Sequence, residues 1–313
     1  MMRASAAADL RRRCAAVAGA LLLGFGLGAC GLTGAQEQAT AAFGNSAAHF
    51  GGFAATALID MRERALALDL ERYRYPGSDQ AIASGAYRNL GGALTTERTA
   101  LRLRAANALK AYGQALLALL AADSGPATRA AGAGLVSGLQ EAGLPGAALG
   151  DQDAGSMEGT VSALSGLLTS SIKREALERL VPEVKPKVDV LCSELGRDLD
   201  RDKAGAAAAL NSVVATLLTT ALANVASADP SLRFIAVADF ARARDTEEQL
   251  VDLAAASRSA AASCLAANAA MAGAFAGGGE SGLVALAGFA AKVASLEGSG
   301  FSLAGVRTTL TGN

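Results

Sequence analysis

From Phe240 to Phe275 the chain places Phe240, Ala243, Glu247, Leu250, Ala254, Ser257, Ala261, Cys264, Asn268, Met271 and Phe275 at three- and four-residue steps for 36 residues. An α-helix of 3.6 residues per turn lines such a row up on one side, whereas a strand would scatter it over both. The same spacing recurs upstream. Phe43, Ala47, Phe50, Ala54, Ala57 and Met61 form one seam, closed by the turn sequence Tyr75-Pro76-Gly77-Ser78. A second runs Tyr87, Leu90, Leu94, Arg98, Leu101, Ala105, Ala108, Tyr112, Ala115 and Leu119 and stops at Asp123–Pro126. As one helix it would be about 50 Å long, paired with the first in an antiparallel hairpin.

Residues 127–142 read as a short helix. Val161, Leu164, Leu168 and Ile172 then start a helix running to about Leu180, where Pro182 and Pro186 predict a break or kink. Val184, Val188, Leu191 and Leu195 resume the period, and Leu210, Val214, Leu217 and Ala221 carry it to Asp229-Pro230. A short helix over 283–297 precedes a Gly/Ser/Thr tail, 298–313. Hydrophobic residues make up 51% of the chain but aromatics only 4%, and Trp is absent. Alanine-rich composition of that kind suits closely packed helices and disfavours sheets. The expected fold is all-α: an elongated bundle of long antiparallel helices with coiled-coil-like seams over residues 39–297. No fixed-period repeat appears.

The first thirty residues read differently. Arg3, Arg11, Arg12 and Arg13 against Asp9 give this segment a charge of +3, and an uncharged run of 14 residues (15–28) follows. That run fits the core of a signal peptide and is short for a membrane span, which needs about 20 residues. It ends in Leu27-Gly28-Ala29-Cys30. A branched apolar residue, two small ones and a cysteine in this context resemble the lipobox of bacterial lipoproteins. The resemblance covers only the leader. It implies cleavage before Cys30, with residues 1–29 as signal peptide, a diacylglyceryl group on the Cys30 thiol, and a fatty acid such as palmitate on its amine. It also implies membrane attachment through that lipid in the bacterial cell envelope. Gly31 in place of Asp favours the outer membrane over the inner one. Two other readings of the same residues compete: Cys30 as a small apolar residue of an uncleaved anchor helix, and cleavage after Ala35 at Thr33-Gly34-Ala35. Residues 30–38 would be lipidated cysteine and flexible tether.

In an oxidising compartment the two remaining cysteines of the body, Cys192 and Cys264, are expected to form a disulfide closing a loop of about 73 residues. The alternative is two separate buried thiols.

Net charge is −1 for the whole chain, hence near −4 without the +3 leader, so no basic stripe is available for phosphates and nucleic acid is not an expected partner. Asp198, Asp200 and Asp202 resemble the start of a calcium loop, but Lys203 and Ala209 stand where it needs Gly and Glu. They read as a solvated charged turn, as do Asp151, Asp153 and Glu158. The glycines of 24–31 sit in the leader, and Gly277–Gly282 lacks a phosphate loop's Lys-Ser/Thr. His49 is the only histidine; with no second ligand at metal spacing it reads as a surface or half-buried structural residue. No Gly-x-Ser-x-Gly elbow presents a nucleophile. No catalytic, metal or cofactor residues are assigned, and an enzyme is not expected.

Two features bear on partners. Arg72, Tyr73, Arg74 and Tyr75 beside the Pro76-Gly77 turn form a candidate contact tip, since Tyr and Arg are enriched in binding hot spots; a capped helix end whose tyrosines cover the hairpin is the plainer account. Residues 204–228 hold 25 residues without a charge, read as a buried central helix of the bundle. The expected role is a non-enzymatic scaffold or adaptor contacting another envelope component or a copy of itself. The alternative is a membrane-inserting or pore-forming helical protein, because that run is long enough to cross a bilayer.

Overall fold

A computed structural model describes residues 32–76, 78, 85, 90–122, 126, 127, 130, 173–276 and 282–298. The leader with Leu27–Cys30, Tyr87, most of 127–142, Asp151, Asp153, Glu158, Val161–Ile172, Gly277–Ser281 and residues 299–313 lie outside the described residues. The protein is all-α. The described helices are α1 (Gly34–Glu71), followed by a 3₁₀ turn at Arg72–Arg74, α2 (Thr96–Ala121), α3 (Lys173–Asp198), α4 (Ala206–Asn224), α5 (Pro230–Phe275) and α6 (Leu283–Glu297). No strand occurs among the described residues.

Helix starts follow local chemistry. Thr33 caps α1 in a capping box: its Oγ1 accepts from the Gln36 amide at 3.2 Å, and its own N–H donates to Gln36 Oε1 at 2.9 Å. Gln36 Nε2 also donates to the Ala274 carbonyl at the end of α5. Residues 34–38 are therefore the first turn of α1 rather than flexible tether. α2 begins at Thr96, capped by Thr95, later than the seam from Tyr87 implies. Gly91 and Gly92 adopt φ of 79° and 58°, left-handed values that an α-helix does not accommodate, so α2 does not extend back through them. At about 1.5 Å per residue α2 is about 39 Å long rather than 50 Å. Asp229 caps α5, with Pro230 in its first turn.

α3 runs through Pro182 and Pro186 without ending. Both prolines are exposed and four residues apart, so the carbonyls robbed of an amide partner lie toward water.

Cross-helix contacts give the directions. Along α1, Gln36, Arg64, Glu71 and Tyr75 just beyond it meet Ala274, Gln249, Arg242 and Asp239 in turn; α1 and α5 are antiparallel for about 50 Å. α2 also runs antiparallel to α1, with Gly113 near Gly44 and Thr96 near Arg62. α3, α4 and α6 pack on α5, making it the hub. The seam residues Phe43, Ala47, Phe50, Ala54, Ala57 and Met61 are all buried, as are Val184, Val188, Leu191 and Leu195. The few aromatics concentrate where α1, α2 and α6 meet: Phe43 lies 6.2 Å from Tyr112 and 5.9 Å from Phe289, and Phe50 lies 6.1 Å from Phe289 between ring centres. Elsewhere small residues let backbones touch. A Cβ on Gly51 would stand 2.5 Å from the Ala106 carbonyl oxygen and the Lys110 nitrogen.

Candidate functional site

Cys192 on α3 and Cys264 on α5 stand at disulfide distance, with Sγ atoms 1.98 Å apart. Both are fully buried. Just beyond them the Asp198–Asp202 turn is solvated, as its charges suggest, only at Asp202; Asp198 and Asp200 are turned inward. Asp200 is buried, and the Arg258 Nη1 donates to both its carboxylate oxygens (2.9 and 3.1 Å) and to Asp202 Oδ2 at 3.0 Å. Arg102 Nε donates to Asp198 Oδ1 at 2.8 Å. Burial raises the Asp198 pKa, with Arg102 opposing the shift. These carboxylates tie α2 and α5 to the α3–α4 turn; guanidinium groups hold the oxygens a cation would need. Among the described residues no group of three or more His, Cys, Asp or Glu could hold a metal ion.

The end of α1 carries the tip residues. Tyr75 is not exposed: it is buried at 4% relative exposure, and its hydroxyl donates to Asp239 Oδ2 at 3.0 Å. Burial first, then that bond, pushes its pKa above the ordinary tyrosine value. Asp239, itself fully buried, also accepts from Arg242 Nη2 at 2.8 Å, and the same guanidinium donates through Nη1 to Glu71 Oε1 at 2.9 Å. Arg72 pairs with Asp69 at 2.8 Å and lies 5.1 Å over the Tyr73 ring. Asp69 accepts the Gly91 amide at 2.9 Å, holding the chain that re-enters before α2. Tyr73 is half-buried and Arg74 exposed. Thus Tyr75 is an internal strut between α1 and α5, while Tyr73 and Arg74 remain at the surface.

The same end carries apolar groups that the seams do not signal. Leu222 near the end of α4 is 63% exposed, and Phe234 and Val237 in the first turns of α5 are 76% and 51% exposed. Phe234 and Val237 lie on the opposite helical phase from the buried side of α5, and Leu222 lies one residue off the α4 seam. α4 is not a central helix. Only Ala206, Ala207, Leu210, Val214, Leu217 and Ala221 are buried, leaving an outward face without charge. On that helix Thr216, Thr219 and Thr220 turn their hydroxyls onto the carbonyl four residues back, each at 2.9 Å. α4 and α5 are long and apolar enough to cross a membrane by composition, with α4 at a mean hydropathy of 1.7.

His49 on α1 places Nδ1 2.9 Å from Glu297 Oε1, the last residue of α6. Both side chains are largely exposed. No protein-family model matches the chain, and no curated protein or solved structure matches it either.

Proposed function

We propose that this chain is a lipid-anchored protein of the bacterial envelope whose helical body is a non-enzymatic scaffold, presenting a contact surface about 50 Å from its anchored end. The observation that carries this reading is the α1–α5 spine. Gln36 meets Ala274 at one end, and Tyr75 meets Asp239 at the other. Leu32 opens the described body only two residues after Cys30. A lipid on Cys30 would therefore hold the Gln36 end near the membrane. The far end carries exposed Leu222, Phe234, Val237 and Arg74 beside half-buried Tyr73, apolar, aromatic and arginine side chains of the kind that mark contact sites.

Two observations support Cys30 as the first mature residue. Cleavage after Ala35 would cut the first turn of α1 and remove its Thr33 cap. Acylation at Cys30 leaves that cap intact, with only Gly31 in sequence between Cys30 and buried Leu32. Several acyl chains on one residue anchor firmly, at about 0.8 kcal/mol per buried methylene. Metabolic labelling with an alkyne fatty acid tests the anchor. The wild type takes up label and sediments with membranes; Cys30→Ala does neither. Labelling of Cys30→Ala, or no label on the wild type, refutes the anchor.

The membrane-inserting reading is favoured by one observation, the uncharged outward face of α4 with its hydroxyls bonded to its own backbone. Leakage of dye-loaded liposomes on adding the protein would support it.

A further inference from the structure

The geometry points to a binding site for a small organic carboxylate in the groove between α1, α2 and the end of α6. The groove holds about 330 Å³ and is lined by Ala48, His49, Gly52, Phe53, Lys110, Gln114 and Glu297. That is the lower end of the range for small-molecule sites, about 300–1,000 Å³.

Two adjacent glycines build it. Gly51 faces α2 and lets its backbone come within reach of Ala106 and Lys110, whereas a Cβ on Gly52 would meet nothing within 4 Å. The first draws the two helices together; the second opens the space beside that contact. Ala48 and Gly52, His49 and Phe53, and Lys110 and Gln114 are each four residues apart, one helical turn, so each pair stacks along one wall. Helix spacing thus puts the cation and amide of α2 across from the imidazole and ring of α1.

The charges select the ligand. Glu297 is the one carboxylate among the lining residues, and the His49 ring occupies it at 2.9 Å. A carboxylate only accepts, so in that contact His49 Nδ1 carries the proton and Nε2 is left for another partner. Lys110, by contrast, has no acidic partner among the described residues, and neither does Gln114 have a hydrogen-bond partner there. An ammonium and an amide one turn apart can together donate to the two oxygens of a carboxylate. Phe53, Ala48 and Gly52 offer the apolar body of the same molecule a surface free of competing charge. A cationic ligand would meet Lys110 unopposed, and a polyanion would meet Glu297. The match is a monocarboxylate with a compact apolar or aromatic body. This site lies away from the contact surface proposed above and stands without it.

His49 gives the site its own reporter, because the chain has one histidine. Full-length protein labelled with [¹³C]histidine and held in detergent micelles is titrated with benzoate while the imidazole signals are followed by NMR. We expect a saturable shift that weakens at least tenfold in Lys110→Met and is retained in Lys110→Arg, with the neutral isostere benzyl alcohol giving a much smaller response. A shift equal for the two compounds, one insensitive to Lys110→Met, or no shift at all overturns the assignment.

Discussion

Replacing Gly51 by alanine should destabilise the protein, although a helix ordinarily gains about 1 kcal/mol from that exchange. The added Cβ would lie 2.5 Å from the Ala106 oxygen and the Lys110 nitrogen and 3.1 Å from Lys110 Cα. All three are backbone atoms, so no side chain can rotate away. Restoring ordinary contact of 3.4 Å or more requires α1 and α2 to part by about 1 Å at this point. Overpacking of that kind costs about 1–3 kcal/mol. With both neighbours rigid we place it at the upper end, for a net loss of about 1–2 kcal/mol. Gly52 supplies the control, since its Cβ would meet nothing; Gly52→Ala should gain up to about 1 kcal/mol. Two neighbouring residues on one helix should thus respond with opposite sign, separated by roughly 5 °C or more in Tm. Thermal unfolding followed by far-ultraviolet circular dichroism reads this directly. Gly51→Ala at or above the wild type, or equal losses at both positions, would refute the close approach of α1 and α2.

Three further outcomes follow from the buried groups. Reduction, or the double change Cys192→Ala and Cys264→Ala, should lower stability by about 4 kcal/mol, because the cross-link closes a loop with a sequence separation of 72; urea midpoints unchanged by dithiothreitol would exclude the bond. Tyr112 is fully buried and burial raises its pKa, so the folded hydroxyl stays protonated when the unfolded one ionises near the ordinary value of 10.0. Its contribution is present below that pH and falls above it by about 1.4 kcal/mol per pH unit. Tyr75, whose pKa is raised as well, adds to the fall in the same sense, so urea titrations between about pH 9 and 11 should show a slope that is reduced, by about 1.4 kcal/mol per pH unit at its upper end, in Tyr112→Phe. Tyr75→Phe should cost about 1.5–3 kcal/mol, the value of a hydrogen bond to a charged group, by leaving buried Asp239 without one donor; Tyr73→Phe, half-buried and outside that pair, should change stability little in the same melts.

The buried faces were legible because an apolar period of three or four needs no partner to be read: Phe43 to Met61 and Leu250 to Met271 point inward as the spacing requires. Ends were harder. The run from Tyr87 keeps the period straight through Gly91 and Gly92, whose positive φ breaks it. Of the break or kink expected at Pro182 and Pro186, the break does not occur, because exposure, which spacing alone does not rank for proline, decides whether a lost hydrogen bond matters. Charged residues misled most. Asp200 and Asp239 look like solvent groups in the sequence, yet each is buried against an arginine, Arg258 and Arg242 respectively. Asp200 and Arg258 lie 58 residues apart, and no local pattern announces such a pairing. The groove at His49 was hidden for the same reason, since α1 contributes four of its residues, α2 two and α6 one. Phe234 and Val237 were readable in principle, as apolar residues on the wrong phase of a long seam.

A scaffold anchored at one end should be engaged at the other, and photo-cross-linking in living cells tests which end is in contact. A benzophenone amino acid replaces Phe234 at the far end or Val284, 81% exposed on α6 near the Gln36 end. One reproducible envelope partner, or a second copy of the chain, should be captured from position 234, be absent from position 284, and be lost in Cys30→Ala. Capture that is equal from both positions, or from 234 whether or not Cys30 is present, would contradict it.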